Sequence, residues 1–323
     1  MLSKSSLRIV FMGTPDFAVE SLRSLVEGGY QVVGVVTMPD KPVGRHQTVL
    51  QASPVKRYAE EKGLPVLQPE KLKDPVFLEQ LRALRADLQV VVAFRMLPEV
   101  VWAMPPMGTF NLHASLLPQY RGAAPINWAI INGETETGLT TFFLQHEIDT
   151  GNIIRQVRVP VAPTDNAGDL HDRLMQLGGA LVTETVDLIA RGDVQTVAQP
   201  SPADGVALKP APKIFKETCR IAWCEGVKRA YDFIRGLSPY PAAWTELVEG
   251  DKRLILKVYA AEMETAVPGE PVGTLVTDGR SAMRVALPDG YLRLLSVQLA
   301  GKKRMNIADF LRGFHPSGPL RVE

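Results

Sequence analysis

Asn111, His113 and Ser115 stand two residues apart in the run Thr109-Phe110-Asn111-Leu112-His113-Ala114-Ser115, where apolar and polar residues alternate. Alternation is the period of a β-strand, so an amide, an imidazole and a hydroxyl face one side just before Pro118 ends the strand. An amide holds a developing oxyanion and an imidazole moves a proton, the two tasks that acyl transfer sets. A carboxylate completes the group. Asp149, in Glu147-Ile148-Asp149-Thr150-Gly151, follows the next predicted strand, which on ordinary pairing lies beside the first. From there it meets His113 across a crevice, orients the imidazole and stabilises its charged form. Each residue alone has a plainer reading: Asn and His satisfying nearby backbone groups, Asp making an Asx turn. Their combination is what points to catalysis.

Other chemistries fit less well. Gly13-Thr14-Pro15 follows a predicted strand, but a dinucleotide fingerprint needs three glycines, and Thr14, Pro15 and Phe17 block a pyrophosphate. A zinc site from His113, His146 and Asp149 lacks any HExxH-like ligand spacing, so no metal is expected. The two cysteines, Cys219 and Cys224, offer no disulfide framework and suit a reducing compartment. The apolar stretch Leu7–Met12 is short for a signal peptide, and no apolar run reaches the roughly 18 residues of a membrane span. The expectation is a cytoplasmic protein with no membrane partner, acting as a monomer.

The elements that must position these groups read as α/β. Predicted strands at Arg8–Met12, Gln31–Thr37, Leu88–Phe94, Thr109–Ser115, Leu139–Leu144 and Ile153–Val161 are spaced by helices. One helix follows Thr14-Pro15, with Thr14 as its N-cap. Others begin at Ser53-Pro54, Asp74-Pro75, Pro125 and about Asn166. Such spacing implies βαβ units in a Rossmann-like, mostly parallel sheet with helices on both faces. Ligands of open sheets sit beyond the carboxyl ends of the strands, where Asn111 and His113 lie. Prolines 200, 202, 210 and 212 mark a linker. Beyond it come a helix over Glu225–Gly236 and about five short strands between Ala243 and Gln298, separated by Asp-Gly and Gly-Asp turns. They suggest a small β-barrel of the oligonucleotide-binding kind. The expected division is a catalytic domain over 1–191, a linker over 192–213 and a barrel over 214–323.

Charge is uneven. From Lys209 onward there are 18 Lys and Arg against 13 Asp and Glu; before it there are 18 against 22. A basic C-terminal part is a modest pointer to a polyanion. Arg45, in the loop Pro39-Asp40-Lys41-Pro42-Val43-Gly44-Arg45-His46, is either a solvated loop residue or a basic finger for phosphates or bases. Lys302-Lys303-Arg304 either tracks a nucleic-acid backbone or simply faces water.

Several motifs together resemble the folate-dependent formyltransferases, and among them the family acting on methionyl-tRNA: Gly13-Thr14-Pro15-Asp16-Phe17, Asn111-x-His113-x-Ser115-Leu116-Leu117-Pro118, Tyr120-Arg121-Gly122-Ala123-Ala124-Pro125 and Asp149-Thr150-Gly151. Pro39-Asp40 to Arg45, Ser53-Pro54-Val55-Lys56 and Ala300-Gly301-Lys302-Lys303 extend the likeness over nearly the whole chain. The Asn, His and Asp trio is common to folate-dependent formyltransferases; the Arg45 loop and the second domain favour a tRNA acceptor. The resemblance implies transfer of a formyl group from 10-formyltetrahydrofolate to the α-amine of methionine on initiator tRNA. Asn111, His113 and Asp149 would be catalytic, Ser115, Leu116, Leu117 and Pro118 would border the folate, and Arg45 would reach the acceptor end. Ala93-Phe94-Arg95-Met96-Leu97-Pro98 departs from the pattern, standing where the family has a glycine-containing segment. A formyltransferase for a small amine would share sheet and trio but have little use for a basic second domain.

Overall fold

Leu88–Val92 is buried at all five positions, because a strand covered on both faces reads as a nearly unbroken apolar run. It belongs to a computed structural model that describes residues 3–43, 49–200, 204–316 and 318–323. Two units emerge, one of Met1–Gly122, Thr137–Val159 and His171–Pro210, the other of Ala123–Glu136, Pro160–Leu170 and Ala211–Glu323. No helix among the described residues is long and apolar enough to cross a membrane.

In the first half the strands are β1 (Arg8–Gly13), β2 (Gln31–Val36), β3 (Lys41–Val43), β4 (Val49–Gln51), β5 (Val66–Leu67), β6 (Leu88–Val92), β7 (Thr109–His113), β8 (Glu136–Phe143) and β9 (Ile153–Pro160). The helices are α1 (Asp16–Glu27), α2 (Pro54–Glu61), α3 (Pro75–Ala83), α4 (Glu99–Trp102), α5 (Pro125–Ile131) and α6 (Ala167–Arg191). The sheet order is β5-β2-β1-β6-β7-β8-β9. Pairing is parallel from β5 to β7, and β8 runs antiparallel beside β7, as a Rossmann-like sheet with a reversed edge.

Local chemistry sets the boundaries. Ser53 accepts the Lys56 amide at 3.1 Å and Asp74 accepts that of Val76 at 2.9 Å, so both caps act as their residue types suggest. Thr14 does not cap α1. Its hydroxyl accepts instead from the Met38 amide and the Thr37 hydroxyl, both at 3.4 Å, and Pro15 takes the cap position without a side-chain bond. Gly178 lets α6 approach the sheet, since a Cβ there would lie 2.8 Å from the Leu112 side chain, between the two site residues of β7. The short β3–β4 pair and β5 carry too few residues for a periodicity signal.

The second unit has its own core, in which Trp223, Ile234, Leu256, Val285 and Phe310 are buried. After α7 (Val227–Leu237) come β10 (Ala243–Glu249), β11 (Lys252–Glu264), β12 (Thr274–Thr277), β13 (Met283–Leu287), β14 (Gly290–Leu299), β15 (Met305–Asn306), α8 (Ile307–Gly313) and β16 (Leu320–Val322). Because β11 pairs with both β10 and β14, the ring β11-β10-β16-β12-β13-β14 closes. The expectation of about five strands missed β16, a three-residue segment that slots between β10 and β12 and leaves the barrel no open edge there.

Candidate active site

β7 ends at His113, two residues short of the predicted strand, and its register sets Asn111 beside Val91 of β6 and Phe142 of β8, with His113 opposite Thr140. Asn111 and His113 share a side, as i and i+2 must. Ser115 does not join them. The chain has already turned, and the buried Ser115 hydroxyl donates to the Gln119 carbonyl at 2.6 Å.

His113 is buried, and Nε2 lies 2.8 Å from the main-chain oxygen of Tyr120. A carbonyl only accepts, so Nε2 carries the proton and Nδ1 is left for chemistry. Nδ1 faces Oδ2 of Asp149 across 3.9 Å. That oxygen also accepts the Gly122 amide at 3.0 Å, so the loop just after Tyr120 grips both ring and carboxylate. Asn111 contributes an amide oxygen that is buried with no hydrogen-bond partner among the described residues. The residue as a whole is only half-buried, and the two ends of a carboxamide exchange by a half-turn, so Asn111 can present a donor or an acceptor.

Asp149 arrives here through a constrained loop. Its φ is +54°, in the left-handed region that costs a residue with a side chain about 1–2 kcal/mol. At Gly151 a Cβ would lie 1.6 Å from the Phe143 carbonyl oxygen, so only glycine lets the loop pass that close to the end of β8. The Asp149-Thr150-Gly151 motif is therefore half chemistry and half backbone clearance.

Ser115 to Pro118 form a turn held from β8 and β9. The Thr140 hydroxyl donates to the Ser115 carbonyl at 2.7 Å and accepts the Leu117 amide at 3.1 Å, and Gln156 donates to the Leu117 carbonyl at 2.8 Å. Ser115 and Leu117 are buried; Leu116 and Pro118 keep part of their surface open. Thr140 and Gln156 are supports that sequence inspection passes over, since lone polar residues in strands carry no spacing signal.

Just after β6, Arg95 occupies the segment that departs from the family pattern. Its guanidinium donates to the carbonyls of Pro69 and Glu70, the latter at 2.7 Å, while its Nε is buried without a partner among the described residues. Burial holds that guanidinium below its ordinary pKa. The loop after β2 is anchored at Asp40, whose carboxylate takes Lys56 at 2.7 Å and Gln68 at 2.8 Å. Lys56 first, and Gln68 second, hold the Asp40 carboxyl below the usual range. Arg45 itself lies outside the described residues. His146, offered as a third zinc ligand, is largely exposed and lies 3.6 Å from Glu99, edge-on to Trp102. In the barrel, Lys302 and Lys303 are exposed on the turn between β14 and β15. Arg304 donates to the Ser296 hydroxyl at 2.9 Å and lies 4.4 Å over the Tyr259 ring.

Comparison with known proteins bears on this geometry. Residues 7–186 match the formyl transferase family and residues 213–315 its C-terminal domain. A methionyl-tRNA formyltransferase of Parabacteroides distasonis is 68% identical over 315 residues, 97% of this chain and 97% of its own. Another, of Bacteroides thetaiotaomicron, is 64% identical over 322 residues, 99% of this chain and 100% of its own. Among solved structures, an N-formyltransferase of Helicobacter canadensis in complex with folinic acid and dTDP-3-aminofucose superimposes with a TM-score of 0.64, at 18% identity, covering 93% of this chain and 100% of that one. At such identity the likeness is one of fold.

Proposed function

Because the chain belongs to the formyl transferase family, and within it to the methionyl-tRNA formyltransferases, we propose that Asn111, His113 and Asp149 are the groups that perform its reaction. The chain transfers the formyl group of 10-formyltetrahydrofolate to the α-amine of methionine esterified to initiator tRNA, giving N-formylmethionyl-tRNA for translation initiation. The observation that carries the assignment of roles is that Asp149 comes within 3.9 Å of His113, on the strand whose Asn111 side-chain oxygen has no hydrogen-bond partner among the described residues.

The neutral amine of the methionyl ester adds to the formyl carbon, forming the new C–N bond and leaving a negative charge on the formyl oxygen. The Asn111 side-chain amide donates through Nδ2 to that oxygen. His113, protonated at Nδ1, donates as well, directly or through a water. Asp149 stabilises the imidazolium and accepts the proton that the amine sheds, directly or through one water. Collapse breaks the bond from the formyl carbon to N10, and the proton passes back to that nitrogen as tetrahydrofolate leaves. Atoms and charge balance with no metal, nucleotide or covalent enzyme intermediate.

Leu116 and Pro118 border the donor with their open surface, while buried Ser115 and Leu117 hold the turn in shape. Arg45 engages the acceptor end of the tRNA, and Lys302, Lys303 and Arg304 contact its phosphates. All three catalytic groups come from one chain, which supports action as a monomer, and a substrate in translation supports a cytoplasmic location.

The test offers labelled 10-formyltetrahydrofolate to the protein with methionyl-tRNA and small amines in parallel. Label is expected on the methionyl-tRNA. Label found only on a small amine would overturn the reading. Asn111→Ala, in folded protein, is expected to lose about 10²–10³ in turnover; retention of more than a tenth of wild-type turnover removes Asn111 from the oxyanion role.

A further inference from the structure

We propose that Gln199, in the proline-rich segment that follows α6, is a positioning residue for the transfer, holding Asp149 in place from behind. Its amide nitrogen donates to the main-chain carbonyls of Asp149 at 2.9 Å and Gly151 at 2.8 Å. Its amide oxygen accepts from Nη2 of Arg121 at 2.7 Å and from Nε at 3.1 Å. All four hydrogen-bonding positions of one carboxamide are therefore engaged.

The partners explain the role. Gly151 lies two residues beyond Asp149 and Arg121 one before Gly122, whose amide grips the Asp149 carboxylate. The segment that carries the carboxylate and the segment that clasps it are tied through the same side chain. Asp149 needs such restraint, because a left-handed conformation persists only where the surroundings over-determine it. The segment around Gln199 is itself pinned, with Val197 paired to Ile153 by two backbone bonds at 2.8 and 2.9 Å. Further along, the Gln119 side chain donates to the Ala207 carbonyl at 2.9 Å and accepts from the Lys209 amide at 2.8 Å. What reads in sequence as a connector is built into the wall of the site.

Placement within about an ångström decides whether a proton acceptor works, and a shift of that size costs on the order of 10² in rate. This inference rests on the reading of Asp149 as the proton acceptor, and the experiment separates the two. Gln199→Met keeps length and loses every hydrogen bond; Gln199→Glu keeps an acceptor for Arg121 but sets oxygen against two carbonyls. Each is measured beside Asp149→Asn and the double variant Gln199→Met/Asp149→Asn, for kcat, donor KM, folinic acid binding and thermal midpoint. Expected for both Gln199 variants is a fall in kcat of about 10²-fold with donor KM and folinic acid binding unchanged. The double variant is expected to be no slower than Asp149→Asn alone, since a group with nothing left to position cannot matter. Three results would overturn the proposal: wild-type kcat in Gln199→Met, additive losses in the double variant, or loss of folinic acid binding in both Gln199 variants, which marks a general structural role. An active Asp149→Asn brings down the reading of Asp149 first, and this inference with it.

Discussion

Nδ1 of His113 and Oδ2 of Asp149 are 3.9 Å apart, within reach of each other's charge but beyond a hydrogen bond. At that separation the carboxylate still stabilises a charge on the ring, and one water can bridge the two groups and carry a proton. Asp149→Asn keeps the Gly122 contact through its carboxamide oxygen and abolishes proton acceptance. Single-turnover rates are expected to drop by about 10²–10⁴ with folinic acid affinity retained. Equal losses in rate and affinity would instead place Asp149 in donor binding.

Gly151→Ala probes the backbone part of the same motif. The new methyl would sit 1.6 Å from the Phe143 carbonyl oxygen, and a carbonyl in the sheet cannot swing aside as a flexible side chain would. The loop must move, and Asp149 moves with it. Activity is expected to fall by about 10²-fold or more, while far-ultraviolet circular dichroism stays that of the native sheet. A fully active Gly151→Ala enzyme would mean that the Asp149 loop relocates without cost.

Much of this site can be seen in the residues themselves, because strand alternation places Asn111 and His113 together and an adjacent strand brings Asp149 near. The mostly parallel sheet follows from the same logic of alternating strands and helices, with Ser53 and Asp74 starting helices as their side chains dictate. Several features escape such reading, three of them close to function or closure. Ser115 falls out of the alternating set because the chain turns at Ala114, and only the Gln119 carbonyl explains where its hydroxyl goes. Gln199 lies in a stretch with no periodicity and joins the site through contacts 48 to 78 residues away. β16 has three residues, too few to alternate visibly, yet it closes the barrel.

The Asp40 carboxylate, held low first by Lys56 and then by Gln68, gives the wild-type protein a pH signature. Its folded pKa lies below its unfolded value, near 3.9. The stabilisation is therefore fully present above that unfolded value and disappears as pH falls through the folded one. Asp40→Asn is expected to melt lower than wild type at pH 7, with the difference shrinking steadily below pH 4. Thermal midpoints of both proteins across that range check it, and a difference that stays constant with pH would show that the Lys56 contact carries no linkage.

Lys302 and Lys303 stand exposed on the β14–β15 turn, whereas Arg304 is occupied by Ser296 and the Tyr259 ring. Neither lysine has a carboxylate partner among the described residues, such exposed lysines are the kind that meet phosphates, and each phosphate neutralised releases condensed counterions. The logarithm of tRNA affinity should then fall linearly with that of salt concentration, with a slope of about −0.7 to −0.9 for each contact. Lys302→Ala/Lys303→Ala is expected to weaken tRNA binding at low salt and to flatten that slope by about 1.4 to 1.8, the share of two phosphate contacts. Turnover at saturating tRNA should hold, because neither lysine is among the reacting groups. Arg304→Ala makes the contrast: its side chain is already engaged, so its effect should be smaller in slope. Filter-binding titrations from low to physiological salt decide it, and a slope that neither lysine alters would put the phosphate contacts elsewhere on the chain.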